Sequence, residues 1–177
     1  MNSLFIATSL DGYIADRDGG LGWLSEGAAA QDGDFGYAAF MDGIDAIVIG
    51  RTTFETVLGF GIDWPYAKPV FVLSRALTAL PKALTGKAEI LAGIPAEITA
   101  TLAKRGHTKL YIDGGRVAQD FLAADAIDRM ILTRVPVLLG GGTPLFGSLP
   151  GPLRLSHVHT ETLARGLVQS IYERPRP

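Results

Sequence analysis

The chain has 177 residues, 47% of them hydrophobic and 19% charged, and sixteen Lys and Arg against eighteen Asp and Glu leave a net charge of -2. That length suits one domain, and the near-neutral balance argues against nucleic acid or an anionic membrane as a partner. The absence of cysteine excludes disulfides, thiolate metal sites and a Cys nucleophile, which fits a cytoplasmic location, and no apolar run approaches the ~20 residues of a membrane span.

Leu4 to Thr8 is the first predicted strand, and the residues before it lack the basic stretch of a signal peptide. A glycine-rich irregular stretch from Leu10 to Gly33 follows, and a loop this long inside a domain is expected to be a functional lid. It contains Trp23, which could stack on a planar substrate. Asp34 is a good N-cap for a helix over Phe35 to Met41. Strand Ala46 to Ile49 then runs into Gly50-Arg51-Thr52-Thr53 and a second helix, in which Phe54, Val57 and Leu58 share a face. Strand Val70 to Leu73 ends at Ser74-Arg75. After strand Glu89 to Leu91, Ile94, Ile98 and Leu102 repeat every four residues, with Pro95 early in the helix where its missing N–H costs little. Strand Lys109 to Ile112 runs into Asp113-Gly114-Gly115-Arg116-Val117 and a fourth helix with Val117, Phe121 and Leu122 on one side. Strand Arg129 to Val135 comes next, and Leu153 to Thr162 with Leu167 to Glu173 form a hairpin around Ala164-Arg165-Gly166. About eight strands with four helices predict an α/β fold, with a mostly parallel central sheet and a C-terminal antiparallel hairpin.

Three of these strands end in residues suited to anion binding. In an open parallel sheet such carboxyl ends lie along one edge, where ligands bind. Helix starts preceded by Gly50 and Gly114 offer free N–H groups and positive dipole ends, enough for a pyrophosphate. Arg51, Arg75 and Arg116 add three cations, a surplus that favours NADPH over NADH. The Rossmann fingerprint is missing: Gly59-Phe60-Gly61 has Trp64 where a third Gly would stand. His107, His157 and His159 form no metal-ligand pattern, so no metal is expected. Asp34 reads from its own surroundings as a plain helix cap, and Asp32 is a competing carboxylate beside it.

The ordered motifs resemble a known family. Ile49-Gly50-Arg51-Thr52-Thr53-Phe54-Glu55 looks like the cofactor-binding turn of dihydrofolate reductases, and Val72-Leu73-Ser74-Arg75 like their next cofactor strand. Ile112-Asp113-Gly114-Gly115-Arg116-Val117 is similar to that family's glycine-rich turn, and Ile131-Leu132-Thr133 to a later strand with a ligand-facing Thr. Ser9-Leu10-Asp11-Gly12-Tyr13-Ile14-Ala15, Leu138-Leu139-Gly140-Gly141-Gly142 and the acidic Asp113 lean toward the riboflavin-biosynthesis reductase branch. The resemblance implies a dihydrofolate-reductase-like domain over residues 1–177. It places Ala7, Gly50, Arg51, Thr52, Thr53, Ser74, Arg75, Gly114, Gly115, Arg116 and Val117 at an NADPH site, Trp23 and Thr133 near substrate, and Asp34 as the active-site carboxylate. It further implies a pteridine- or pyrimidine-like substrate and a homodimer. A dedicated riboflavin-pathway reductase and a non-catalytic NADPH-binding sensor are the alternatives.

Overall fold

The computed structural model describes residues 1–27 and 33–176. In chain order its strands are β1 (Asn2–Ser9), β2 (Tyr13–Ala15), β3 (Ala46–Gly50), β4 (Val70–Leu73), β5 (Ala88–Leu91), β6 (Leu110–Asp113), β7 (Arg129–Val135), β8 (Thr143–Pro144), β9 (Ser156–Thr162) and β10 (Val168–Glu173). Its helices are α1 (Gly22–Gly27), α2 (Tyr37–Asp42), α3 (Arg51–Gly59), α4 (Pro95–Lys104) and α5 (Gly115–Ala123). Eight strands form one sheet in the order β5-β4-β3-β6-β1-β7-β10-β9, while β2 and β8 make a separate ribbon. From β5 to β7 every pairing is parallel, and β10 and β9 add the antiparallel hairpin.

The inner strands read as unbroken apolar runs because both faces are covered. Ala46 and Val48 of β3 face the core beneath α4 and α5, while Ile47 and Ile49 face the opposite core beside Phe54 of α3. Phe121 of α5 is fully buried, and truncating such a side chain to Ala costs about 3–5 kcal/mol. Two residues assigned to buried helix faces lie elsewhere. Leu58 is 42% exposed, because α3 turns only Phe54 and Val57 inward. Ile94 is 55% exposed because it precedes α4 as its N-cap, where its N–H donates to Glu97 Oε2 at 3.1 Å.

The helix expected over Phe35 to Met41 starts later, at Tyr37, because Phe35 and Gly36 adopt positive φ of 53° and 85°. The stretch Leu10 to Gly33 is also less irregular than expected, since it carries β2 and α1. Its first half is fastened to a distant segment. The Asp11 carboxylate accepts N–H groups from Leu139 at 3.1 Å and Gly140 at 2.8 Å, and the Ser9 hydroxyl at 2.6 Å. Arg17 donates to the Gly140 carbonyl at 2.7 Å, and a side chain at Gly142 would overlap the Ala15 carbonyl. β2 and β8 are the paired centre of this junction. Among the described residues no helix is long and apolar enough to cross a membrane.

Candidate functional site

A cavity of about 900 Å³ runs along the carboxyl ends of β4, β3, β6 and β1. The structure brings all eleven residues expected at a cofactor site to its wall, from Ala7 of β1 to Val117 of α5. Gly50 and Gly114 are the N-caps of α3 and α5, and neither helix start has a side-chain cap. Their first-turn N–H groups and positive dipole ends are therefore free to meet an anion. Gly114 is required by two features: its φ is 90°, and a Cβ there would overlap the Thr53 hydroxyl. Gly115 is tight for another reason. A Cβ would come within 2.9 Å of Ile14 Cδ1 and 3.0 Å of Thr143 Cγ2, so its missing side chain makes room for the β2-β8 ribbon.

The three cations differ in how free they are. Arg51 pairs with Glu55 at 3.2 Å, and Arg116 with Asp120 at 3.0 Å, each one helical turn away. Arg75 makes no ion pair among the described residues. Two of the three charges counted as surplus are thus already balanced locally. Ser74 accepts the N–H groups of Ala76 and Leu77 at 3.1 and 3.0 Å, which turns the chain after β4 and sets Arg75 on the cavity wall.

The carboxyl that stands out in the wall is Asp113, at the end of β6. Burial pushes its pKa up to about 6, although the Gly114 N–H donates to it at 2.8 Å. Burial, and then the Asp113 charge, raise the pKa values of Tyr37, Tyr66 and Tyr111. Tyr66 lines the cavity, and the Tyr111 hydroxyl donates to the Phe5 carbonyl at 2.9 Å. The sequence marks Asp113 only as a family trait. An acidic residue closing a fully buried strand before a glycine pair is the signal that points to it.

The residues expected to touch substrate lie off this wall. Asp34 is exposed, and N–H groups of Ala38 at 2.7 Å and Gly36 at 3.0 Å hold its carboxyl below the usual range. It caps α2 from two residues before the geometric N-cap. Trp23 is buried against Val135 and Leu167. Thr133 is buried and accepts from Gln169 Nε2 at 3.0 Å, while the same amide donates to the Phe35 carbonyl at 3.1 Å. Asp32 lies outside the described residues.

Comparison with known proteins places this geometry among relatives. The model of the RibD C-terminal domain family matches residues 3–169. The protein YwjB of Bacillus subtilis (strain 168), itself uncharacterized, is 36% identical over 155 residues, which cover 86% of each chain. A solved structure from Shewanella sp. PV-4, named for riboflavin biosynthesis, is 46% identical with a TM-score of 0.95, and the match covers 99% of each chain. The dihydrofolate reductase of Enterococcus faecalis is 19% identical, with a TM-score of 0.70 over 99% of this chain and 97% of that one. That last likeness shows the shared dihydrofolate-reductase-like fold.

Proposed function

The chain belongs to the RibD C-terminal domain family, and from that membership we propose that it is an NADPH-dependent reductase acting on a small planar, pteridine- or pyrimidine-like substrate. One observation carries the reading. Three strand ends, far apart in sequence, converge on one cavity with two helix starts that lack a side-chain cap and an arginine that has no ion pair among the described residues. NADPH, when bound, would supply the hydride.

The chain's own residues then have distinct tasks. The first turns of α3 and α5 would hold the pyrophosphate, and Gly114 would let the backbone approach it closely. Arg75, with Arg51 beside it, would meet the additional phosphate. Apolar groups from β1, β2 and α1 would exclude water from the reacting end. The proton that accompanies reduction of a polarised double bond is assigned to Asp113 rather than Asp34. A carboxyl with a pKa of about 6 exists in both protonation states near neutrality and suits general acid–base work. A carboxylate held ionised by helix N–H groups does not. The reading includes the cytoplasmic homodimer implied by the resemblance, which sedimentation of the full chain tests.

Calorimetry with NADPH and NADH, followed by NADPH consumption across a panel of pteridines and pyrimidines, tests the function. The expected result is tight NADPH binding and turnover of at least one panel member. Absence of NADPH binding would sink the reading, and tight binding without turnover would favour the sensor.

A further inference from the structure

Of the sixteen Lys and Arg, three line the cavity: Arg75 beyond β4, Arg51 beyond β3 and Arg116 in the first turn of α5 beyond β6. β4, β3 and β6 are consecutive in the sheet, so these cations share one end. Arg116 is also turned outward onto Asp120, its side chain 85% exposed. β1 is the next strand, roughly 4.8 Å further along, and there the wall changes character. Ile6 and Ala7 of β1, Ile14 of β2, and Leu21 and Leu24 at α1 make it mainly aliphatic, with Thr143 of β8 adding a hydroxyl. Asp113, on the strand beside β1, stands where the two halves meet.

We propose that the β1 half of the cavity takes a planar heterocycle that presents an N–H donor edge to Asp113 and carries no phosphate group. This rests on the reductase reading above. Mainly aliphatic walls with few convergent polar groups suit a ring that hydrogen-bonds along a single edge. A phosphate monoester brings a charge of about -1.5 to -2 at neutral pH and needs cations or clustered N–H groups to replace its water. Those groups lie at the β4-β3-β6 end and would be engaged by the dinucleotide. At the β1 end a phosphate would instead meet a carboxyl and apolar side chains. The raised pKa values of Tyr37, Tyr66 and Tyr111 reflect the same burial and the same negative field.

The test uses the full chain saturated with NADPH and two probes that differ by one phosphoryl group, 6-hydroxymethylpterin and its phosphate ester. Calorimetry is expected to show the uncharged probe binding at least about tenfold more tightly, since a like charge facing Asp113 is strongly penalised. Asp113→Asn should shrink that gap to about threefold or less, mainly by weakening the uncharged probe. If the variant does not fold, the wild-type pair alone decides. An ester that binds as tightly as its parent overturns the proposal, as does failure of both probes on NADPH-loaded protein. If the ester binds more tightly and Arg17→Ala removes its advantage, the phosphate sits beside Gly140 and the proposal also falls. A chain that binds no NADPH loses the reductase reading itself, whereas one that binds NADPH and prefers the ester loses only this inference.

Discussion

At the β4-β3-β6 end of the cavity the polar groups facing a ligand are helix N–H groups, hydroxyls and arginines; at the β1 end aliphatic side chains predominate, with Thr143 and the Asp113 carboxyl among them. The first end is made mostly by backbone, held open by Gly50 and Gly114 in two short contiguous motifs. The second is made by side chains from separate stretches, at Ile6-Ala7, Ile14, Leu21-Leu24 and Asp113. A backbone-built site recognises what many ligands share, such as a pyrophosphate. A side-chain-built site can be retuned residue by residue, and it is where substrates are told apart.

That division is easiest to break at Asp113. Asp113→Asn is expected to lower turnover about 10²–10⁴-fold, the range of a general acid–base contribution, with little change in NADPH affinity by calorimetry. The same substitution should stabilise the empty protein near neutral pH. The folded pKa of about 6 lies above the 3.8 of an ordinary aspartate, so the fold keeps a proton that the unfolded chain releases. Stability from this group is therefore present below about pH 4, is lost as pH rises to about 6, and stays lost above. The loss is about 3 kcal/mol, from 1.36 kcal/mol per pKa unit. The difference in melting temperature between variant and wild type, followed from pH 4 to 7, checks the sign. A flat difference would show that Asp113 titrates normally.

Gly114→Ala probes the other end. Its positive φ and the overlap with the Thr53 hydroxyl should cost about 1–3 kcal/mol and weaken NADPH at least about tenfold. Adding Thr53→Ala relieves the overlap but not the backbone strain, so only part of the stability should return in thermal melts.

The arginines should separate by their partners. Arg75→Ala is expected to weaken NADPH about ten- to a hundredfold, the 1.5–3 kcal/mol of a hydrogen bond to a charged group, while NADH changes little. Arg51, already neutralised by Glu55, should lose only severalfold. Equal losses with NADPH and NADH would remove the case for a second phosphate at this end. The smallest effect belongs to Asp34→Asn, because Asn caps a helix nearly as well as Asp. Turnover within about twofold of wild type is expected. A large loss would restore the carboxylate role the sequence suggested.

The sheet was legible because buried parallel strands are short apolar runs bounded by glycine and polar residues. Arg129–Val135 and Val70–Leu73 are observed with the boundaries read from sequence. The convergence of the eleven wall residues was legible because motifs at strand ends reach one edge in any open parallel sheet. Strands of three and two residues, β2 and β8, leave no periodicity to detect. Leu58 and Ile94 fit helical spacing, but only the packed structure shows where a buried face ends. Asp113 could be seen as an acid before two glycines, yet its raised pKa arises from burial among Tyr37, Tyr66 and Tyr111, which no local pattern brings together. Asp34 shows the reverse: its capping hydrogen bonds were readable, and its distance from the cavity was not.

The junction of Asp11 and Arg17 with Leu139 and Gly140 has a consequence for how the molecule comes into being. A ribosome that has released residues 1–135 has delivered all six parallel strands, both glycine-capped helix starts and all three cavity arginines. It has not delivered Leu139, Gly140, Thr143 or Pro144, the partners that hold Asp11, Tyr13 and Ala15 in place. The edge that carries the glycine turns and the arginines can therefore be complete on a nascent chain while the apolar wall beside it still awaits its fastening.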